Sequence, residues 1–242
     1  MDYPKISILM PTWNRRKFLS LMIHNIQNFD YDKNNIEWVI YDDHPKYPLF
    51  TSDSLITTKN AVFPVSIKYI YRPEKHLTIG DKRNKLVKNA THKYLCNMDD
   101  DDIYVPEYLK YSMNILLQNK YGIVGSPQML FIYPFHTYKF TYIICAAKRQ
   151  AHEATMCFTK KYWRSVGGFN KSGVGEGAAM VDFSENRCGI TAVEHCMICV
   201  AHDSNTCSKD IFLDKDINID VEKIKGHIDI LKKIFDTDYE IL

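Results

Sequence analysis

Residues 93–102 read Lys93-Tyr94-Leu95-Cys96-Asn97-Met98-Asp99-Asp100-Asp101-Asp102, a short apolar run that ends in four consecutive carboxylates. An apolar run of this length closed by a polar cluster reads as a buried strand. Three similar runs precede it. Lys5-Ile6-Ser7-Ile8-Leu9-Met10 stops at Pro11-Thr12, Glu37-Trp38-Val39-Ile40-Tyr41 stops at Asp42-Asp43-His44-Pro45, and a third runs from Val65 to Tyr71. Helical spacing lies between them: Phe18, Leu19, Met22, Ile23 and Ile26 follow the first run. Ile79-Gly80-Asp81-Lys82-Arg83-Asn84 opens another helix that includes Leu86, Val87 and Ala90. A polar connection leads from the second run to the third. Strands that are apolar throughout and alternate with helices predict an α/β fold, with a mostly parallel central sheet flanked by helices. Ligands of such sheets bind beyond the carboxyl ends of the strands. The polar clusters Thr12 to Asn14, Asp42-Asp43 and Asp99 to Asp102 all follow strands, so they converge on one crevice.

Composition narrows the function classes. The 242 residues are 45% hydrophobic and 25% charged, which suits one large domain or two halves sharing a core and excludes disorder. Lys and Arg number 31 against 29 Asp and Glu, a net charge of +2 that does not describe a nucleic-acid binder with a basic face. No apolar run approaches the ~18 residues of a membrane span, and the N-terminus has no signal-peptide pattern. Seven cysteines cannot all pair. Together these features predict a cytoplasmic protein with reduced thiols.

The second half is less regular. A helix is expected from about Pro106 to Gln118 and a strand around Tyr121 to Val124. Aromatic-rich extended segments follow at Met129 to Tyr133, Phe140 to Cys145 and Thr155 to Phe158, then a Gly-rich loop from Gly167 to Gly177 and a strand from Met197 to Ala201. Between Asp220 and Phe235, the residues Val221, Ile224, Ile228, Leu231 and Phe235 form an amphipathic pattern. That tail can pack back on the domain or form a homodimer contact. The expected division is 1–102, 103–210 and a helical tail at 211–242.

Four adjacent carboxylates repel one another unless a cation neutralises them. Two carboxylate ligands on a short turn suit Mg²⁺ or Mn²⁺, which keeps other positions for water and phosphate oxygens. The competing reading is a solvated acidic loop leading into the helix at Pro106 and Glu107.

These residues carry a resemblance. Ile6-Ser7-Ile8-Leu9-Met10-Pro11-Thr12-Trp13-Asn14-Arg15 resembles the opening strand and loop of family 2 glycosyltransferases of the GT-A fold, which are nucleotide-diphospho-sugar transferases. Val39 to Asp43 resembles that family's second strand with its acidic end. Gly80 to Ala90, Tyr94, and Met98 through the aspartates to Pro106 resemble its Arg-Asn helix and DxD segment. Thr155-Met156-Cys157-Phe158, Trp163 and Val166-Gly167-Gly168-Phe169 are similar to its acceptor-side signature. The resemblance covers about residues 5–180 and implies a single Rossmann-like GT-A domain with an irregular acceptor-side half.

It further implies a nucleotide-diphosphate sugar donor, most naturally a UDP-sugar, whose base and ribose lie against Pro11, Thr12 and Trp13. Asp43 would accept from a base N–H, against a simple turn role before His44-Pro45. Arg83 would reach the base or diphosphate, with Lys82 in support. Asp99 and Asp101 form the DxD pair, the first on ribose or metal and the second on the metal, while Asp100 shares the ribose. His202, just past the strand at Met197 to Ala201, is a candidate third metal ligand, and His195 reads as a strand-flanking residue. The acceptor would be a carbohydrate or glycosylated molecule. Inversion needs one carboxylate base. The family's acidic pair after Gly-Gly-Phe is broken here, where Glu176 is followed by Gly177. Glu176 is the expected base and Asp182 the reserve.

Three alternatives stay open. Cys196 and Cys199 with His195, His202, Cys188 and Cys207 superficially match a zinc site, but residues three apart on a strand face opposite sides. A sugar-nucleotide nucleotidyltransferase needs a Gly-rich loop after the first strand, and Thr12 to Lys17 contains no glycine. A catalytically silent sugar-binding module is kept open by the Glu176-Gly177 departure. His152-Glu153 lacks the second His of a zinc-hydrolase helix and carries no assignment.

Overall fold

A computed structural model describes residues 3–145, 151–183, 188–217, 219, 221 and 226–236. Its strands are β1 (Ile6–Thr12), β2 (Ile36–Asp42), β3 (Ser66–Tyr71), β4 (Tyr94–Asn97), β5 (Ile103–Tyr104), β6 (Ile123–Ser126), β7 (Gln128–Tyr133), β8 (Lys139–Ile144), β9 (His152–Thr159), β10 (Cys188–Ile190) and β11 (Met197–Val200). The helices are α1 (Leu19–Asn28), α2 (Ser52–Ala61), α3 (Ile79–Asn89), α4 (Tyr108–Gln118), α5 (Lys160–Ser165) and α6 (Asp229–Phe235).

A seven-stranded sheet runs β10-β6-β9-β4-β1-β2-β3. Neighbours are parallel except at β9, which lies antiparallel between β4 and β6. β1 and β2 are buried along their whole lengths. Ile6, Ile8 and Met10 of β1 pack with α1 and α4 residues on one side, while Leu9 packs with Leu86 and Val87 of α3 on the other. This two-sided burial is why the runs are apolar without a polar alternation. The register sets Thr12 beside Asp42 and Asp42 beside Tyr71, so the three carboxyl ends finish level. At the opposite end, buried Glu37 accepts from Ser7 Oγ at 2.5 Å, Thr91 N at 2.8 Å and Thr91 Oγ1 at 2.6 Å, tying β1, β2 and the lead into β4.

A second sheet, β5-β11-β7-β8, receives the chain directly after the aspartates. β5 pairs antiparallel with β11, Tyr104 opposite Met197 and Ile103 opposite Ile198. The exit of β11 is thereby delivered to the acidic run.

The connection between β2 and β3 contains α2, whose start is set by a capping box between Thr51 and Ser54. Its weak apolar face left no periodic signal, because only Thr58 is buried along it. The tail packs inward: Leu231 is fully buried, and Phe235 lies 6.0 Å from the Phe18 ring and 5.5 Å from the Phe135 ring. Asp220 and residues 222–225, including Ile224, fall outside the described residues. All seven cysteines are free thiols. Cys199 on β11 and Cys196 just before it are both buried in the core. Among the described residues no helix is long and apolar enough to cross a membrane.

Candidate functional site

The crevice beyond β1, β2 and β4 holds two adjoining cavities of about 650 Å³ each, which share Pro11, Arg15, Ile79, Asp100, Gly173 and Thr206 in their walls. One is lined by Thr12, Trp13, His76, Leu77 and Lys82. The other is lined by Arg83, the four aspartates, Glu153 and Glu176, with apolar residues from Met129 to Phe212 opposite.

Trp13 is half exposed, with its ring 4.8 Å from that of His44 and 5.5 Å from that of His76. This leaves a planar apolar surface at the mouth of the first cavity. Asn14 then adopts φ +55°, a left-handed conformation that asparagine tolerates. The turn sends Arg15 back over the acidic run, where its Nε is 3.6 Å from Asp100 Oδ1 and its Nη2 is 3.4 Å from Asp101 Oδ2.

The two aspartates ending β2 are both fully buried and do different work. Asp42 accepts from His44 N, Leu49 N and Tyr69 Oη, which shapes the loop after β2. Asp43 accepts from Leu77 N at 2.6 Å and sits 2.5 Å from Lys82 Nζ. Lys82 in turn donates to the Thr12 carbonyl at 3.1 Å. Asp43 therefore couples α3 to the ends of β1 and β2.

Thr78 caps α3 by accepting from Asp81 N. The helix then presents Arg83 to the crevice and Asn84 to its rear. Asn84 Oδ1 accepts from Trp163 Nε1 at 2.9 Å and Phe169 N at 3.0 Å, and its Nδ2 donates to Phe169 O. The Arg-Asn pair and the Gly-Gly-Phe segment are thus one clasp. Gly80 makes the close approach possible, since a Cβ there would lie 1.8 Å from the Asn170 carbonyl oxygen. That packing brings Glu176 to Arg83.

Arg83 is buried, with Nε donating to Glu176 Oε1 at 2.8 Å and Nη2 to Asp99 Oδ1 at 2.9 Å. Its Nη1 is buried without a hydrogen-bond partner. Both carboxylates hold the guanidinium firmly protonated against the cost of burial. Burial pushes the Asp99 carboxyl up despite Arg83, and burial with the Asp101 charge pushes Asp100 well up. Asp100 Oδ2 is likewise buried and unpartnered. Asp101 moves the other way: burial opposes the shift, but the His202 hydrogen bond and Arg15 hold its carboxyl below the usual range. Asp102 turns away from the others, accepting Val200 N at 2.9 Å, and so pins β11 to the acidic run.

His202 arrives on that pinned strand, and its Nε2 lies 3.1 Å from Asp101 Oδ2. The structure thus brings Asp101 and His202 together and joins Asp99 to Arg83. Among the described residues no three His, Cys, Asp or Glu side chains are gathered into a ready metal cage. The carboxylate oxygens still suit Mn²⁺ or Mg²⁺. The unpartnered Asp100 oxygen leaves acceptor capacity in the acidic run, and the raised carboxyls of Asp99, Asp100 and Asp102 reflect burial first, with neighbouring carboxylate charges adding to it.

Glu176 lines the cavity and is buried by its bond to Arg83. Asp182 is not part of the cavity wall, and its backbone N–H reaches the Cys188 thiol at 3.4 Å. His195 Nδ1 lies 3.2 Å from Glu107 Oε1 at the start of α4. Sequence reasoning passed over His152 and Glu153, which start β9 and face the cavity. Burial, then Lys209 and Arg83, pushes His152 down to about 3, so its ring is neutral. Burial and the Glu176 charge push Glu153 up to about 7. Their position at the mouth of the strand carrying Thr155 to Phe158 was the available signal.

A large central sheet flanked by helices on both faces is the fold of GT-A glycosyltransferases. The chain belongs to glycosyl transferase family 2, whose model matches residues 7–184. It is 31% identical over 122 residues to an Escherichia coli (strain K12) protein assigned as the colanic acid biosynthesis glycosyl transferase WcaA, covering 50% of this chain and 39% of that one. An uncharacterized glycosyltransferase of Methanocaldococcus jannaschii, MJ1057, is 28% identical over 124 residues, covering 50% of this chain and 40% of its own length. The chain thus spans less than half the length of these relatives. Among solved structures, the mannosyltransferase PcManGT from Pyrobaculum calidifontis in complex with GDP-Man and Mn²⁺ superposes with a TM-score of 0.63 at 13% identity, covering 84% of this chain and 58% of that one. Residues 1–349 of S. aureus TarS in complex with UDP-GlcNAc superpose with a TM-score of 0.60 at 15% identity, covering 95% and 66%.

Proposed function

We propose that this protein transfers a sugar from a nucleoside-diphosphate donor, a UDP-sugar in the first instance, to a hydroxyl of a carbohydrate or glycosylated acceptor, with inversion at the anomeric carbon. The observation that carries this reading is the unpartnered Arg83 Nη1, a buried cationic donor in the wall of a cavity shared with four aspartates. A buried donor left unpaired costs about 1–3 kcal/mol, and a diphosphate oxygen supplies the missing acceptor. Trp13 would offer its face to the base, with Pro11 and Thr12 against the ribose. Lys82 and Asp43 would hold that wall in place, and Asp99 and Asp100 would take ribose hydroxyls.

Asp101 and His202, with Asp99 at the rim, would hold Mn²⁺ or Mg²⁺. Bound there, the ion would supply Lewis-acid stabilisation of the departing diphosphate. Arg83 would add a second positive charge on the same oxygens, and its own charge is secured by Glu176 and Asp99. The acceptor would approach from the side of Met129, Ile143 and Phe212, where the Glu153–Glu176 wall offers the carboxylate that inversion requires. Support comes from the family membership and from fold neighbours solved with GDP-Man and UDP-GlcNAc.

The test is a thermal-shift screen of UDP, GDP and their sugars with and without Mn²⁺, followed by donor hydrolysis on the hits. A Mn²⁺-dependent rise with one nucleotide family is expected. No shift and no hydrolysis across the panel would overturn the reading.

A further inference from the structure

We propose that Glu153, on the strand that enters the sheet antiparallel, is the base that deprotonates the acceptor hydroxyl, and that Glu176 serves as the positioning partner of Arg83. The inference rests on the glycosyl-transfer reading above and assigns its proton acceptor.

Geometry separates the two carboxylates. Glu176 is spent on Arg83 at 2.8 Å, and a carboxylate that neutralises a buried guanidinium gives up that pairing if it takes a proton. Among the described residues Glu153 has no ion-pair partner, and its Oε1 accepts the Gly177 N–H at 3.2 Å. Gly177 is the position where the acidic pair after Gly-Gly-Phe is interrupted, and the structure gives the reason. A Cβ at residue 177 would stand 2.6 Å from Glu153 Cγ and 2.6 Å from Met156 Cε. The space that a side chain at 177 would enter already contains a carboxylate delivered from β9. The backbone of Glu153 is fixed too, because Asn97 Nδ2 donates to its carbonyl at 2.8 Å, two residues before Asp99. Glu153 is therefore held rigidly between the acidic run and the apolar acceptor wall.

Among the described residues, the charged and titratable groups facing it are Glu176 from the turn after Gly175, Arg83 from α3, and the Cys145 thiol beyond β8. Its neighbour His152 is neutral. In the step, the acceptor O–H proton passes to Glu153 as the acceptor oxygen bonds the anomeric carbon. The bond from that carbon to the diphosphate oxygen breaks, and its electron pair leaves with the nucleoside diphosphate. Glu153 then releases the proton to water.

The closing experiment measures hydrolysis of UDP-glucose, UDP-galactose, UDP-N-acetylglucosamine and GDP-mannose between pH 5.5 and 9 with Mn²⁺, water acting as acceptor. For the donor that turns over, kcat is expected to rise through pH about 7 and level off above it. Glu153→Gln should lower kcat by about 100-fold or more and abolish the pH limb, while KM and calorimetric UDP affinity stay within about threefold. Glu153→Asp should recover part of kcat and keep the limb, which a folding defect would not do. Glu176→Gln should instead weaken UDP binding and keep a limb, displaced to lower pH because the Glu176 charge helps raise the Glu153 carboxyl. If Glu153→Gln keeps both the rate and the limb, the proposal falls and the glycosyl-transfer reading survives. If wild type neither binds UDP or GDP nor hydrolyses any donor, both fall.

Discussion

Removing the Arg83 guanidinium tests how the site is held together. Arg83→Met keeps a side chain of similar length and strands two carboxylates. The two halves of the network are unequal. Glu176 is 4% exposed, whereas the Asp99 side chain is 28% exposed and can recover hydration. Breaking a buried pair costs about 3–5 kcal/mol, whereas an exposed one contributes about 0–1 kcal/mol. The expected loss for Arg83→Met is therefore about 4 kcal/mol, almost all of it from Glu176. At about 2–4 °C per kcal/mol for a chain of this size, the melting temperature should fall by about 8–16 °C. Glu176→Gln in that background removes the stranded charge and should restore about 2 kcal/mol, a coupling within the range of contacting residues. Urea melts of the wild type, both single variants and the double variant, followed by tryptophan fluorescence without nucleotide, measure the cycle. Strict additivity, or a single-variant loss under about 1 kcal/mol, would refute the claim that Glu176 is held by Arg83.

Three further outcomes follow from the same contacts. Gly80→Ala gains about 1 kcal/mol of helix propensity, yet its methyl meets the Asn170 carbonyl at 1.8 Å. A net loss of about 1–3 kcal/mol in urea, with reduced donor hydrolysis, is expected, and a stabilised, fully active variant would show that the 170–176 segment does not need this approach. Glu37 keeps a depressed carboxyl, since its bonds to Ser7 and Thr91 outweigh burial. Its stabilisation is present above the unfolded value of about 4.3 and is lost as pH falls through the lower folded value. Wild type should thus exceed Glu37→Gln by about 1.5–3 kcal/mol at pH 7, with the gap closing toward pH 3 in melts, and a constant gap would contradict it. With UDP present, Mn²⁺ at 100 times its Kd should add about 2.7 kcal/mol to wild-type stability, about 5–11 °C. Asp101→Asn or His202→Ala should remove most of that rise in differential scanning fluorimetry; an undiminished rise would place the ion elsewhere.

The parallel half of the fold was legible because burial on two faces leaves a local record. The runs at β1, β2 and β4 are apolar since each is covered on both sides, whereas edge strand β3 stays half exposed, and α3 shows its face through Leu86 and Val87. Helix α2 left no such record, for its capping box forms it while its surface stays polar. The acidic run, Arg83 and Trp13 could be placed in one crevice because strand ends in a parallel sheet converge whatever lies between them.

Partnership within that crevice was decided by the tertiary structure alone. Four consecutive aspartates look alike as sequence, yet Asp99 meets Arg83, Asp100 keeps an unpartnered oxygen, Asp101 meets His202 and Asp102 caps Val200. Those fates depend on β5 pairing with β11 and on α3 packing against the 170–176 loop, contacts between residues 90 or more positions apart. The same holds for Glu153, whose role in the chain reading was empty until β9 slotted between β4 and β6 beside Gly177. Local sequence determined which elements form and where charge gathers, because burial and periodicity act over a few residues. Which charge faces which was set by strand pairing and close approach across the sheet, where separation along the chain has no meaning.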